Sequence, residues 1–205
     1  MDAFRKLTAV AAPYDLDNVD TDQIIPARFL KYPRSGGYGQ FLFHDQRRNE
    51  DGSQRADFVL NRPDYKAARI LVTGENFGCG SSREGAVYAL ADSNFRAVIA
   101  PSFGQIFHNN CFKNGILPVV LPHDRIKAIA ARLKQNPGSF LTVDLERNVV
   151  IVDGPNGDQE IPFTVDAFWR EALLAGVDEI GLTLTYSEKI AAFERDYHKQ
   201  FDWLQ

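Results

Sequence analysis

The residues with the most chemical potential lie in one run, Gly74-Glu-Asn-Phe-Gly-Cys-Gly-Ser-Ser-Arg-Glu-Gly85. Gly78 and Gly80 flank Cys79, so the backbone there is free to take positive φ and come close to a ligand. Ser81, Ser82 and Arg83 follow at the predicted start of a helix. A helix start presents unpaired N–H groups and a partial positive charge, which suits a carboxylate or a phosphate. Arg83 is predicted in the first helical turn, where a cation opposes the macrodipole; a bound anion would offset that charge. An arginine fork grips a carboxylate through two parallel hydrogen bonds. Ser81 and Glu84 also spell an S-x-x-E capping box, so Ser81 has a purely structural reading as a helix cap.

Other reactive side chains are less well placed. His44, His108, His123 and His198 have no metal-ligand spacing, so no metal site is expected. The run lacks the lysine of a phosphate loop and does not match the dinucleotide fingerprint. Cys79 has no histidine placed beside it by sequence, which a thiol nucleophile would want. With only Cys79 and Cys111, the chain cannot by itself supply the three or four thiolates that usually hold an iron–sulfur cluster.

The elements around the run are predicted as follows. Residues 4–12 form a strand, and Pro13 with Asp15, Asp17, Asp20 and Asp22 forms a loop. Residues 31–39, with one proline and three glycines, form a mobile loop, and 44–57 make a surface excursion. A buried strand at 70–73 leads into the glycine turn and a helix over 86–94. Strands at 97–100 and 116–121 follow, the latter broken by Pro118. Between them 101–113 is loop and helix, and 123–135 is an amphipathic helix burying Ile126, Ile129, Ala130 and Leu133. Strand, helix, strand, helix, strand predicts a parallel α/β core. Strands at 141–145, 149–152 and 159–163, with a turn at 155–158, predict an antiparallel addition. Helices over 166–175 and 187–204 close the chain, the last suited to docking against a partner.

The 205 residues carry a net charge of −4, with 44% hydrophobic residues. That composition is globular and argues against general nucleic-acid binding, which needs a basic face. No stretch approaches the roughly 20 apolar residues of a membrane helix, and the first ten residues lack a long apolar run. A reducing, cytoplasmic setting is expected.

Three segments together resemble the swivel domain of the aconitase superfamily: residues 17–27 (DNVDTDQIIPA), 76–84 (NFGCGSSRE) and 107–118 (FHNNCFKNGILP). Their order and spacing resemble the family of stand-alone small subunits of bacterial 3-isopropylmalate dehydratase, over essentially the whole chain. The resemblance implies an α/β fold of the swivelling β/β/α type, a single domain over 1–205 with a helical extension from about 166. It implies a hydro-lyase that isomerises 2-isopropylmalate through isopropylmaleate in leucine biosynthesis. It further implies a heterodimer with a large subunit that carries a four-iron four-sulfur cluster, this chain binding no cofactor.

By the same resemblance, Ser81 is the catalytic base, and Arg83 grips a substrate carboxylate. Ser82 is a neighbouring substrate contact, and Thr21 and Asp22 belong to the loop that lines the active site. The 31–39 loop departs from the common pattern of the family and is expected to reach the substrate's variable group. An apolar lining there favours isopropyl, whereas Arg34 favours a third carboxylate. A small subunit acting on homoaconitate or a methyl-substituted maleate therefore stays open. So do a non-catalytic swivel-fold binding module and a small-anion-binding domain that only resembles the family.

Overall fold

The structure is a computed structural model and describes residues 1–153, 158–201 and 203. It contains a seven-stranded mixed sheet. In chain order the elements are β1 (Lys6–Tyr14), the short helices α1 (Thr21–Ile24) and α2 (His44–Arg47), β2 (Ile70–Thr73), α3 (Glu84–Asp92), β3 (Ala97–Ala100), α4 (Gln105–Lys113), β4 (Leu117–Val120) and α5 (His123–Gln135). Strands β5 (Phe140–Asp144), β6 (Val149–Val152) and β7 (Gln159–Pro162) follow, then helices α6 (Ala167–Ala175), α7 (Glu179–Leu184) and α8 (Ser187–Gln200).

The sheet order is β4-β3-β2-β1-β5-β6-β7. Strands β4, β3, β2 and β1 run parallel, and β5, β6 and β7 add on antiparallel. The expected parallel core and antiparallel addition are both present. β1 joins them: Lys6 to Val10 pairs with β5, and Ala11 to Tyr14 pairs with β2. Pro13 therefore lies inside a strand, where a loop was expected. Its missing N–H is harmless because β5 is no longer alongside at that point. Pro118 likewise does not break its strand, since β4 is an edge strand and has one unpaired side.

Both faces of the parallel half are covered, as its near-continuous apolar strands require. Ile70, Val72, Ala97 and Ile99 point into one core with Ile126, Ile129, Ala130 and Leu133 of α5. Leu71, Val98 and Ala100 point into a second core with Ala86, Val87 and Leu90 of α3 and Phe107 of α4. Asp166 caps α6 through Phe168 N–H, and Gly176 ends it at φ 70°. Trp169 of α6 stacks on Phe112 of α4 with centroids 5.3 Å apart. Helix α7 was not expected; Asp178, whose carboxylate accepts from Gly181 N–H, starts it. The turn expected at 155–158 falls largely on residues outside those described, as do residues 202 and 204 of the expected last helix.

Candidate functional site

The glycine turn leaves the carboxyl end of β2, the edge of a parallel sheet where ligands bind. Its shape depends on residues 16–21, which run beside it. Gly74 N–H donates to Leu16 O, Asn18 N–H to Glu75 O, Gly78 N–H to Val19 O (2.7 Å) and Thr21 N–H to Cys79 O (3.0 Å). Side chains brace the same seam: Asp17 accepts from Glu75 N–H at 2.8 Å, and Asn76 Nδ2 donates to Asn18 Oδ1 at 2.9 Å. On the other side Asn76 N–H donates to Ser102 Oγ, and Gly104 N–H to Phe77 O.

Gly78 and Gly80 take the expected positive φ, 72° and 85°. At Gly78 a Cβ would fall 2.2 Å from the Phe107 ring, so glycine is also required for space. The turn is thus pressed onto α4, and its tip, Gly80 to Ser82, is exposed.

Helix α3 starts at Glu84, two residues earlier than expected, and Arg83 is its N-cap, at φ −120° and ψ 107°. The Ser81–Glu84 capping box does not form, because Arg83 is extended and Ser81 projects beyond the helix. Glu84 instead accepts from Asn114 Nδ2 of the residue that caps α4 (2.9 Å). The capping box that does form is Asp20 with Gln23, at the start of α1 (2.7 and 2.9 Å).

That short helix delivers two of the predicted residues to the turn. Thr21 is buried, and its hydroxyl donates to Ser81 O at 3.0 Å, so it holds the serine's backbone from beneath. Asp22 pairs with Arg83 Nη1 and also accepts from Ala27 N–H. Pairing with Arg83 holds the Asp22 carboxyl below the usual carboxylate range. The buried Nη1 meets Asp22 as an ion pair without the alignment of a hydrogen bond. The other guanidinium nitrogen, Nη2, lies 3.5 Å from Ser81 Oγ. Thr21, Asp22, Ser81 and Arg83 therefore form one constellation, with Ser82 exposed beside it.

Arg34 is placed elsewhere. Its guanidinium lies 3.6 Å from the Tyr88 ring centroid, over the outer face of α3. The 31–39 loop is exposed over 31–36 and tied down at its far end. Tyr38 N–H donates to Asp92 (2.7 Å), Tyr38 Oη to Tyr32 O (2.9 Å), and Gln40 to Gly36 O and Gly37 O.

Two further reactive groups are packed into or against the core. Cys111 is wholly buried, which pushes its thiol well up. Burial lowers His108, whose ring packs against Phe112 and Phe103. Among the described residues no three His, Cys, Asp or Glu side chains gather as metal ligands. Also among them, no helix is long and apolar enough to cross a membrane. Sequence reasoning missed Asp17, Asn18, Ser102 and Asn114 as braces of the turn. Asn18 and Asn76 both sit at φ 55°, a conformation asparagine favours, which was the one available signal.

A mixed sheet with a serine–arginine turn at its parallel edge defines a domain of the aconitase C-terminal class, and the aconitase C-terminal domain model matches residues 1–124. The model for the C-terminal domain of the 3-isopropylmalate dehydratase small subunit matches residues 179–205. The 3-isopropylmalate dehydratase small subunit of Paramagnetospirillum magneticum is 50% identical over 204 residues, covering 100% of both chains. That of Gluconobacter oxydans is 53% identical over 194 residues, covering 95% of this chain and 92% of the relative. A crystal structure of 3-isopropylmalate dehydratase from Methanocaldococcus jannaschii is 26% identical with a TM-score of 0.62. It covers 92% of this chain and 99% of its own. The chain belongs to the 3-isopropylmalate dehydratase small subunit family.

Proposed function

We propose that this chain is the small subunit of a cytoplasmic hydro-lyase that converts 2-isopropylmalate to 3-isopropylmalate by removing and re-adding water. The observation that carries this reading is the constellation itself: an exposed serine on a rigid glycine turn, with an arginine 3.5 Å from its oxygen.

Ser81 Oγ is the proton acceptor. A serine oxygen is a poor base unless its negative charge is stabilised; the Arg83 guanidinium and the N-terminus of α3 both stabilise it. Proton abstraction beside a carboxylate also builds charge on the substrate, and Arg83 grips that carboxylate. Asp22 occupies Arg83 in the free chain, so a substrate carboxylate takes over a place already suited to one. Thr21 keeps Ser81 at the required height. Ser82, exposed at the tip, supplies a further polar contact.

The cluster is assigned to the large subunit, where it would supply a Lewis acid for the departing hydroxyl. This chain offers two cysteines, one in the core and one in the turn. The placement of Arg34 over Tyr88 supports a substrate without a third carboxylate.

The test is anaerobic turnover of this chain mixed with the iron–sulfur large subunit, offering 2-isopropylmalate, homocitrate and citramalate separately. Turnover of isopropylmalate that needs both chains is expected. Ser81→Ala should abolish it while leaving the fold intact, since Ser81 is exposed. Turnover of another diacid alone would move the substrate assignment, and a wild-type rate in Ser81→Ala would remove the base.

A further inference from the structure

A cation-rich cavity lies at the amino-terminal edge of the parallel strands, opposite the Ser81 turn. It has a volume of about 400 Å³ and is lined by Arg34, Arg69, Arg96 and Lys113, with Asn94 and Asn114 among its neutral polar groups. Asp2 is the one carboxylate in its wall. The whole chain carries net charge −4, so four cations around one cavity are a local reversal of its field.

Two of these arginines face each other by register. Arg69 and Arg96 directly precede the paired residues Ile70 and Ala97 of β2 and β3, and Arg96 N–H donates to Arg69 O at 2.9 Å. Like charges on directly opposed positions destabilise a sheet. Burial lowers the Arg96 pKa, the Asp2 charge partly offsets this, and the Arg69 charge, the smallest of the three effects, lowers it further. Arg96 is partly used by the fold: Nε donates to Gly115 O (3.0 Å), Nη2 to Asp2 O (3.0 Å), and Nη1 is 3.6 Å from the Asp2 carboxylate. Lys113 pairs with Glu179 at 3.2 Å, and Arg34 lies on Tyr88. The Arg69 side chain is exposed and has no hydrogen-bond or ion-pair partner among the described residues. A smaller cavity continues from Arg69 and Arg96 to Arg5 and Lys6.

The geometry points to a second anion site at this edge, distinct from the Ser81–Arg83 turn, for a compact polyanion bearing at least two negative charges. The volume equals that of about a dozen waters at ~30 Å³ each, enough for a diphosphate or a tricarboxylate. The lining is too polar for an aromatic ligand, and the guanidiniums present forks suited to phosphate or carboxylate oxygens. An anion here would neutralise the Arg69–Arg96 repulsion and draw on Arg34, tying occupancy to the 31–39 loop.

The test is titration of the full chain with inorganic pyrophosphate and, separately, with propane-1,2,3-tricarboxylate, followed by calorimetry and by amide shifts in isotope-labelled protein. Saturable binding is expected, with shifts at residues 94–96 and 113–115. Arg69→Gln and Lys113→Gln, both exposed, should each weaken it at least tenfold, and Arg83→Gln should leave it within twofold. Preference for pyrophosphate or for the tricarboxylate would assign the ligand class. Three results would overturn the site. One is no saturation at millimolar anion. Another is loss of binding in Arg83→Gln alone, and the third is the same shifts with sodium chloride at equal ionic strength.

Discussion

Thr21→Val isolates the link between α1 and the Ser81 turn. Valine matches threonine in shape, so the buried position stays filled and only the hydroxyl bond to Ser81 O is lost. Ser81 is exposed, so water replaces the lost donor. The stability cost is then about 1 kcal/mol, the net worth of one hydrogen bond. For a chain of this size that lowers the melting temperature by about 2–4 °C. The kinetic cost is larger. Without the hydroxyl, Ser81 is free to drift, and a displacement of about 1 Å costs on the order of a hundredfold in rate. The Thr21 hydroxyl does not touch Arg83, so the proposed carboxylate grip is left in place. We therefore expect kcat to fall about tenfold to a hundredfold with KM within about twofold of wild type. Thr21→Ser, which keeps the hydroxyl, should restore most of the rate. The assay is anaerobic steady-state turnover with the large subunit, alongside thermal denaturation of the small subunit. A kcat for Thr21→Val within twofold of wild type would refute the positioning argument, as would a Thr21→Ser enzyme no faster than Thr21→Val.

Arg83→Lys should raise KM by tenfold or more, since a point charge cannot replace a fork; an unchanged KM would take Arg83 out of the substrate site. Gly78→Ala places a methyl 2.2 Å from the Phe107 ring at a positive φ, so it should destabilise the chain by about 2–4 kcal/mol, readable by urea denaturation. The Asp22 carboxyl is lowered in the folded chain, so its pairing with Arg83 stabilises above the ordinary aspartate pKa of about 3.9 and is lost as pH falls through the lowered value. Asp22→Asn should remove that contribution above pH 4 and show a shallower loss of stability on acidification; matching acid-denaturation curves for the two proteins would contradict it.

The fold class was legible because alternation and turn residues agree in this chain. The apolar run Ile70, Leu71 and Val72 is too short for a helix and runs into a glycine turn, so it reads as a doubly covered strand, and the apolar stripe of α5 reads as a helix. The two prolines misled, because whether a proline ends a strand depends on the neighbour it would have bonded. β4 has none on one side, and β1 has lost β5 by Pro13. At the site, the serine, the arginine and the positive-φ glycines were visible as residue types. Their support was not: Asp17 with Glu75, Asn18 with Asn76 and Thr21 with Ser81 join segments far apart in sequence. Ser81 and Glu84 have the pattern of a capping box, yet the extended backbone at Arg83 and the claim of Asn114 on Glu84 decide otherwise. Arg34 illustrates the same limit, since its partner Tyr88 is a tertiary contact.

The double membership of β1 has a consequence for assembly on the ribosome. Its second half meets β2 once Thr73 has emerged, but its first half must wait for Phe140 to Asp144. Until then Lys6 to Val10 is an open edge beside a parallel layer that can already close over α3 and α4. Such an edge is a template for pairing with another chain, and long-range pairing is slow to form. Lys6, whose side chain lies on the exposed face of this strand, is the kind of charge that discourages such pairing. The segment that joins the two halves of the finished sheet is thus also one whose pairing is completed late in synthesis.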